Sequence, residues 1–115
     1  MKRGLALFLV ALASGTAAHA AKAPDCSGPE HWAANMALSA LQNDGEIRNE
    51  AVDFDHVTSK TLVSERIRRN LWRQVFRVTV PLKSGKRVEA MVVSDASAEE
   101  CSMSDPQVFL IAKKL

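Results

Sequence analysis

The residues of this chain with the clearest chemical potential are basic side chains concentrated in one stretch. Between Arg66 and Arg87 there are eight basic residues and no acidic one. The candidate binding residues are the five arginines in the first part of that stretch: Arg66, Arg68, Arg69, Arg73 and Arg77. Guanidinium groups bind phosphate and carboxylate in a bidentate geometry. The stretch therefore predicts an anion-binding surface for lipid headgroups, anionic glycans or an acidic protein partner.

A structural alternative follows from the acidic stretch that comes next. From Glu89 to Asp105 there are five acidic residues and no basic one. If the two stretches lie on neighbouring strands, the arginines pair with carboxylates across the sheet, as Arg73 would with Asp95. Exposed ion pairs of this kind contribute roughly 0–1 kcal/mol each. Both interpretations stay open at the level of sequence.

Metal-binding and catalytic patterns are weak in this sequence. Asp53, Asp55 and His56 offer two carboxylates and an imidazole, but on a strand His56 would point away from both carboxylates. The five glycines are scattered and form no phosphate-binding loop. No nucleophile elbow is present. We therefore expect no metal, no cofactor and no catalytic residue, and a binding protein rather than an enzyme.

The two cysteines, Cys26 and Cys101, predict one disulfide. Neither lies in a Cys-x-x-Cys motif, which disfavours a metal site or a redox pair. The bond would close a loop of about 75 residues and contribute on the order of 4 kcal/mol in the chain-entropy model. For a small domain that is a large share of the total stability.

The first 20 residues have the pattern of a secretory signal peptide. Lys2 and Arg3 precede an apolar run from Leu5 to Ala13, and Ala18-His19-Ala20 forms a cleavage site. The predicted mature chain, residues 21–115, is a single small domain, periplasmic or secreted and not membrane-spanning after cleavage. Without Lys2 and Arg3 its 13 basic residues balance 13 acidic ones, so the charge gives no reason to expect nucleic-acid binding.

These residues need a scaffold, and its centre is a β-hairpin from Leu71 to Val93. Apolar residues alternate with polar ones from Trp72 to Leu82, as expected for a half-buried strand. Lys83-Ser84-Gly85 fits a three-residue loop with the glycine in the left-handed region. This loop would pair Val80 with Val88 and place Arg73 opposite Asp95.

The other elements are one helix and two further strands. A helix is predicted to begin after Ser27 and to end at Gly45, with Trp32 and Met36 among its core residues. One strand is expected over Ala51 to Val63, a turn over Ser64 to Asn70, and a last strand over Gln107 to Leu115 in which Val108 to Ile111 are buried. The predicted fold is α+β: one N-terminal helix packed on a four-stranded antiparallel meander, with one disulfide.

The C-terminal half carries a specific resemblance. The run LWRQVFRVTVPLKSGKRVEAMVVSDASAEECSMS resembles a group of small exported proteobacterial proteins of unknown function, which share the aromatic-Arg-Gln strand, the Ser-Gly hairpin and the acidic Cys-Ser-Met-Ser segment. It implies export in a Gram-negative bacterium and assigns no site. The layout is similar to cystatin-like and β-lactamase-inhibitor-like folds, although the cystatin Gln-Val-Val-Ala-Gly loop is absent.

Two functional hypotheses follow. The first is a binding module, of the inhibitor or immunity type, that docks an unknown protein through a sheet face or a loop. The alternative is an envelope component that binds anionic lipid headgroups or glycans through the arginine-rich stretch.

Overall fold

The structure, a computed structural model, describes residues 22–27 and 32–114. Its elements are helix α1 (Trp32–Asn43), strands β1 (Thr58–Arg68), β2 (Leu71–Pro81), β3 (Arg87–Ala96) and β4 (Gln107–Lys114), and 3₁₀ turns at Asn49–Ala51 and Phe54–His56. The four strands form one antiparallel sheet in the order β1-β2-β3-β4, and α1 packs on one face of it. The predicted α+β fold is thus confirmed. The predicted signal peptide lies outside the described residues.

The central hairpin has the predicted register. Val80 pairs with Val88, Val78 with Ala90, and Arg73 with Asp95. The Leu82 amide donates to the Lys86 carbonyl at 2.8 Å and closes the three-residue loop, in which Gly85 has a φ of 94°. A shift by one residue would exchange the two faces of the strand, so the loop fixes which side chains reach the core.

Small side chains allow α1 to lie close to the sheet. Its buried residues are Ala33, Ala34, Ala37 and Leu41, whereas Trp32 and Met36, which the sequence placed in the core, are only partly buried. The helix ends at Asn43, and Gly45 two residues later has a φ of 78°. The Gly45 amide donates to the Gln42 carbonyl and the Glu46 amide to the Leu41 carbonyl, which is the Schellman arrangement that satisfies the last carbonyls.

A strand forms between residues 51 and 70 as predicted, but its bounds and those of the turn after it were wrong. Instead of a strand from Ala51 to Val63, the chain forms a 3₁₀ turn at Phe54–His56 and enters β1 only at Thr58. Instead of a turn over Ser64 to Asn70, β1 continues to Arg68. The register shifts at Leu62 and Ile67 break the alternation along this strand, so its pattern does not match a regular strand.

The predicted buried run in β4 was also wrong. Phe109, Leu110 and Ile111 are 41–49% exposed. Strand β4 forms one edge of the sheet, and α1 covers only one of the two faces. Apolar composition identified the strand correctly, but it could not show that the strand lies at an edge.

The segment before the helix is attached to the sheet at two points. Cys26 forms a disulfide with Cys101, as predicted, with Cα atoms 6.0 Å apart. The buried Gln74 side chain donates to the Pro24 carbonyl and to the Ser64 hydroxyl, each at 3.1 Å. Both contacts hold residues 24–26 against β2 and the loop that follows β3.

Candidate functional site

The face of the sheet opposite α1 is uncovered in the part of the chain that the structure describes, and we call it the open face. Val63, Val75 and Val93 lie side by side across β1, β2 and β3. Met91 pairs with Phe109 in the next row, across β3 and β4. Val63 is 47% and Phe109 49% exposed. These five residues form a continuous apolar stripe, and exposed apolar patches often mark interaction sites.

Charged side chains border this stripe and are fixed by ion pairs. Arg73 Nε lies 3.0 Å from Asp95 Oδ1, on the strand partner that the sequence predicted. Arg77 Nη2 lies 2.5 and 3.0 Å from the two carboxylate oxygens of Glu89. The hydrogen bond from Arg77 lowers the pKa of Glu89, and the one to Asp95 raises the pKa of Arg73. Arg73 and Arg77 therefore form the cross-strand ion pairs that were the structural alternative to an anion-binding surface.

The five predicted binding residues do not converge on one surface. Arg66 lies over the ring of Trp72 on the helix side, with its Cζ 6.0 Å from the ring centroid. Arg68 and Arg69 lie at the β1–β2 turn, in a depression that also contains Glu99 and Glu100. Arg73 and Arg77 are on the open face. The five are close in sequence, but the pleat and the turn divide them among three environments.

A second basic group, which the arginine pattern did not reveal, lies at the other end of the hairpin. Lys83, Lys86, Arg87 and Lys114 line a depression of about 660 Å³. The register places Arg87 directly opposite Lys114. Lys83, Lys86 and Arg87 belong to the basic stretch between Arg66 and Arg87, so the sequence had already marked them as a group of cations. The fourth comes from β4, and only the β3–β4 register brings it to this site.

The same depression includes Asp53 and His56, which the sequence analysis expected to point apart. They converge because this segment is a 3₁₀ turn and not a strand: His56 Nδ1 lies 2.8 Å from Asp53 Oδ2. Asp53 and His56 are three positions apart, which places them on one side of such a turn. Among the described residues, no group of three or more His, Cys, Asp or Glu could hold a metal ion.

No helix within the described residues is long and apolar enough to cross a membrane. Comparison of the chain with family models, with curated proteins and with solved structures returned no match. The resemblance to exported proteobacterial proteins therefore stays a prediction.

Proposed function

We propose that this chain is an exported binding module, periplasmic or secreted, that docks another protein on the open face of its sheet in the manner of an inhibitor or immunity protein. The observation that carries the proposal is the apolar stripe of Val63, Val75, Val93, Met91 and Phe109 on the open face. Contact with a partner would remove this surface from water, at roughly 25 cal/mol for each Å² of apolar area. The role is one of binding, not catalysis.

The charges around the stripe define the chemistry of the partner. The strand positions of the open face carry six basic side chains (Lys60, Arg68, Arg73, Arg77, Arg87 and Lys114) and three acidic ones (Glu65, Glu89 and Asp95), a net charge of +3. A complementary protein surface therefore has an apolar centre and an acidic border, because complementary potentials favour the encounter and its specificity. The ion pairs of Arg73 and Arg77 are already formed, so these two side chains are ordered before binding.

The alternative role, binding of lipid or glycan through Arg66, Arg68, Arg69, Arg73 and Arg77, has less support. Two of the five are paired with carboxylates on β3. Another two share their depression with Glu99 and Glu100. An extended anionic ligand could not contact all five from one side of the sheet.

The chain offers a matched pair of residues for the test. Phe109 and Phe54 are each 49% exposed, but Phe109 lies in the stripe whereas Phe54 lies in a 3₁₀ turn outside the sheet. The native protein, Phe109→Glu and Phe54→Glu are used as baits for an envelope extract. One protein retained by the native bait and by Phe54→Glu, but lost with Phe109→Glu, is the expected result.

Phenylalanine is a better probe of this face than the arginines. Reversing the charge of Arg77 would place a second carboxylate beside the buried one of Glu89, and loss of capture could then reflect unfolding. Equal capture by native and Phe109→Glu baits would contradict docking on the open face. Capture lost equally in both variants, or no protein retained by the native bait, would also contradict it.

A further inference from the structure

We propose that the depression between the β2–β3 turn and the end of β4 is a binding site for a ligand that carries more than one phosphate group. The site is formed by Lys83, Lys86, Arg87 and Lys114 around a volume of about 660 Å³. It lies apart from the apolar stripe, and it does not depend on the protein-docking role proposed above.

The four cations of this site form no ion pair with a carboxylate among residues 22–27 and 32–114. Ion pairs within these residues involve Arg48, His56, Arg73, Arg77 and Lys113. The acidic side chain that lines the depression is Asp53, and its carboxylate is bonded to His56. Glu89, two positions from Arg87, also interacts electrostatically with Arg87 and Lys114, but its carboxylate is hydrogen-bonded to Arg77. The positive charge of the site therefore exceeds the negative charge that faces it.

The depressions at the two ends of the hairpin differ in their balance of basic and acidic side chains. At the β1–β2 end, the depression that holds Arg68 and Arg69 is also lined by Glu99 and Glu100. At the β2–β3 end four basic residues face one acidic residue. Of the two depressions, the second is therefore the one whose charge balance favours an anion.

The cross-strand pair Arg87–Lys114 supports the same inference. Like charges directly opposite each other on a sheet are destabilising, and the β3–β4 register imposes this arrangement here. An anion bound between the two side chains would convert the repulsion into two attractive contacts. Arg87 can hold a phosphate through two parallel hydrogen bonds, while the lysines act as mobile point charges.

The backbone of the turn is fixed before any ligand arrives. The Lys83 amide donates to the Ala51 carbonyl at 2.8 Å, and the Lys86 carbonyl accepts from the Leu82 amide at 2.8 Å. These bonds hold the Cα atoms of Lys83 and Lys86 on either side of Gly85. Because the Lys83 amide is already bonded, recognition depends on the side-chain cations. They are spread around a depression wider than one tetrahedral anion, which favours a ligand with at least two phosphate groups.

Phosphate groups of this kind occur in soluble anions and on lipid surfaces, and two probes distinguish the sources. Inorganic pyrophosphate is titrated into the full mature chain by calorimetry at low ionic strength. Separately, co-sedimentation is measured with mixed cardiolipin–phosphatidylcholine vesicles, since cardiolipin carries two phosphate groups, with pure phosphatidylcholine vesicles as the neutral control. Binding to pyrophosphate indicates a soluble ligand, and binding to the mixed vesicles alone indicates a lipid headgroup.

Two double variants that remove equal charge locate the site. Arg87→Gln/Lys114→Gln removes the opposed pair, and Arg68→Gln/Arg69→Gln removes two charges at the other end of the hairpin. We expect the first to weaken binding at least about tenfold, since each lost charged contact is worth that much or more, and the second to change it less than about twofold. Circular dichroism is used to check that both variants are folded, because Arg87 and Lys114 also attract the buried Glu89 carboxylate.

Either of two results would overturn the proposal. One is the absence of binding to both pyrophosphate and mixed vesicles at low salt. The other is an equal loss of binding in the two double variants, which would show a response to net charge without a site.

Discussion

Arg77 reaches diagonally across the sheet to Glu89 and not to Met91, the residue that faces it on β3. The two side chains differ in their environment: the Glu89 side chain is 4% exposed and that of Arg77 is 49% exposed. The carboxylate is thus buried and depends on the guanidinium for its charge compensation. This difference in exposure determines how much the substitution of each residue should destabilise the fold.

Removing Arg77 should destabilise the fold more than removing the charge of Glu89. Arg77→Met leaves a buried carboxylate without its partner, and an uncompensated buried charge is strongly unfavourable. Glu89→Gln leaves only a guanidinium that water can reach. We expect a lower Tm for both variants at neutral pH, with a drop of several degrees more for Arg77→Met. Thermal unfolding followed by circular dichroism measures this, and equal Tm values for the two variants would contradict the asymmetry.

The same pair should make stability depend on pH in the acidic range. The hydrogen bond from Arg77 places the pKa of folded Glu89 below its ordinary value, which is about 4.3 in an unfolded chain. The stabilisation is therefore fully present above about pH 4.3 and is lost as the pH falls through the lower, folded pKa. The Tm deficit of Glu89→Gln relative to native should shrink below about pH 4.

A carboxylate without this burial provides the control for the pH experiment. Glu50, whose side chain is 74% exposed, pairs with the exposed Arg48, so Glu50→Gln should follow the native Tm across the whole range. A Glu89→Gln deficit that stays constant down to pH 2 would show that its cause is not the charge of Glu89.

The parts of the fold that could be predicted are those in which local chemistry and burial agree. The β2–β3 register followed from one loop, because a shift by one residue would have placed Arg87 and Glu89 among the core valines. Strand β1 could not be delimited in the same way. It is an edge strand with shifts at Leu62 and Ile67, so neither burial nor alternation marks its ends.

The candidate sites were predictable only to the extent that strand neighbours were known. Arg73 and Asp95 could be placed together because a single hairpin joins their strands. Lys114 could not be placed beside Arg87, because the ten residues between β3 and β4 leave that register open in the sequence. Counting charges along the chain therefore pointed to the arginine end of the hairpin and missed the depression at the other end.

The β2–β3 loop should tolerate substitution at Ser84 and not at Gly85. Gly85 has a φ of 94°, and a Cβ placed there would meet nothing within 4 Å, so the cost of Gly85→Ala is one of backbone strain alone. We expect a loss of about 1 kcal/mol, or about 4–8 °C in Tm for a domain of this size. Ser84→Ala, which loses one long hydrogen bond from the Lys86 amide, is the control and should change stability by less than about 0.5 kcal/mol. Equal effects of the two substitutions would contradict the requirement for a left-handed backbone conformation at Gly85.

The disulfide should be a main source of stability, because it joins the segment before the helix to the loop after β3 over a separation of 75 residues. Cys26→Ser/Cys101→Ser should lose about 4 kcal/mol in denaturant unfolding, since the open chain gains the freedom that the closed loop excludes. The native protein, purified under oxidising conditions, should have an intact mass two hydrogens below that of the dithiol form. A reductant should lower the stability of the native protein and leave the double variant unchanged. Free thiols in the native protein under these conditions, or a double variant as stable as the oxidised native chain, would show that the bond does not have this role.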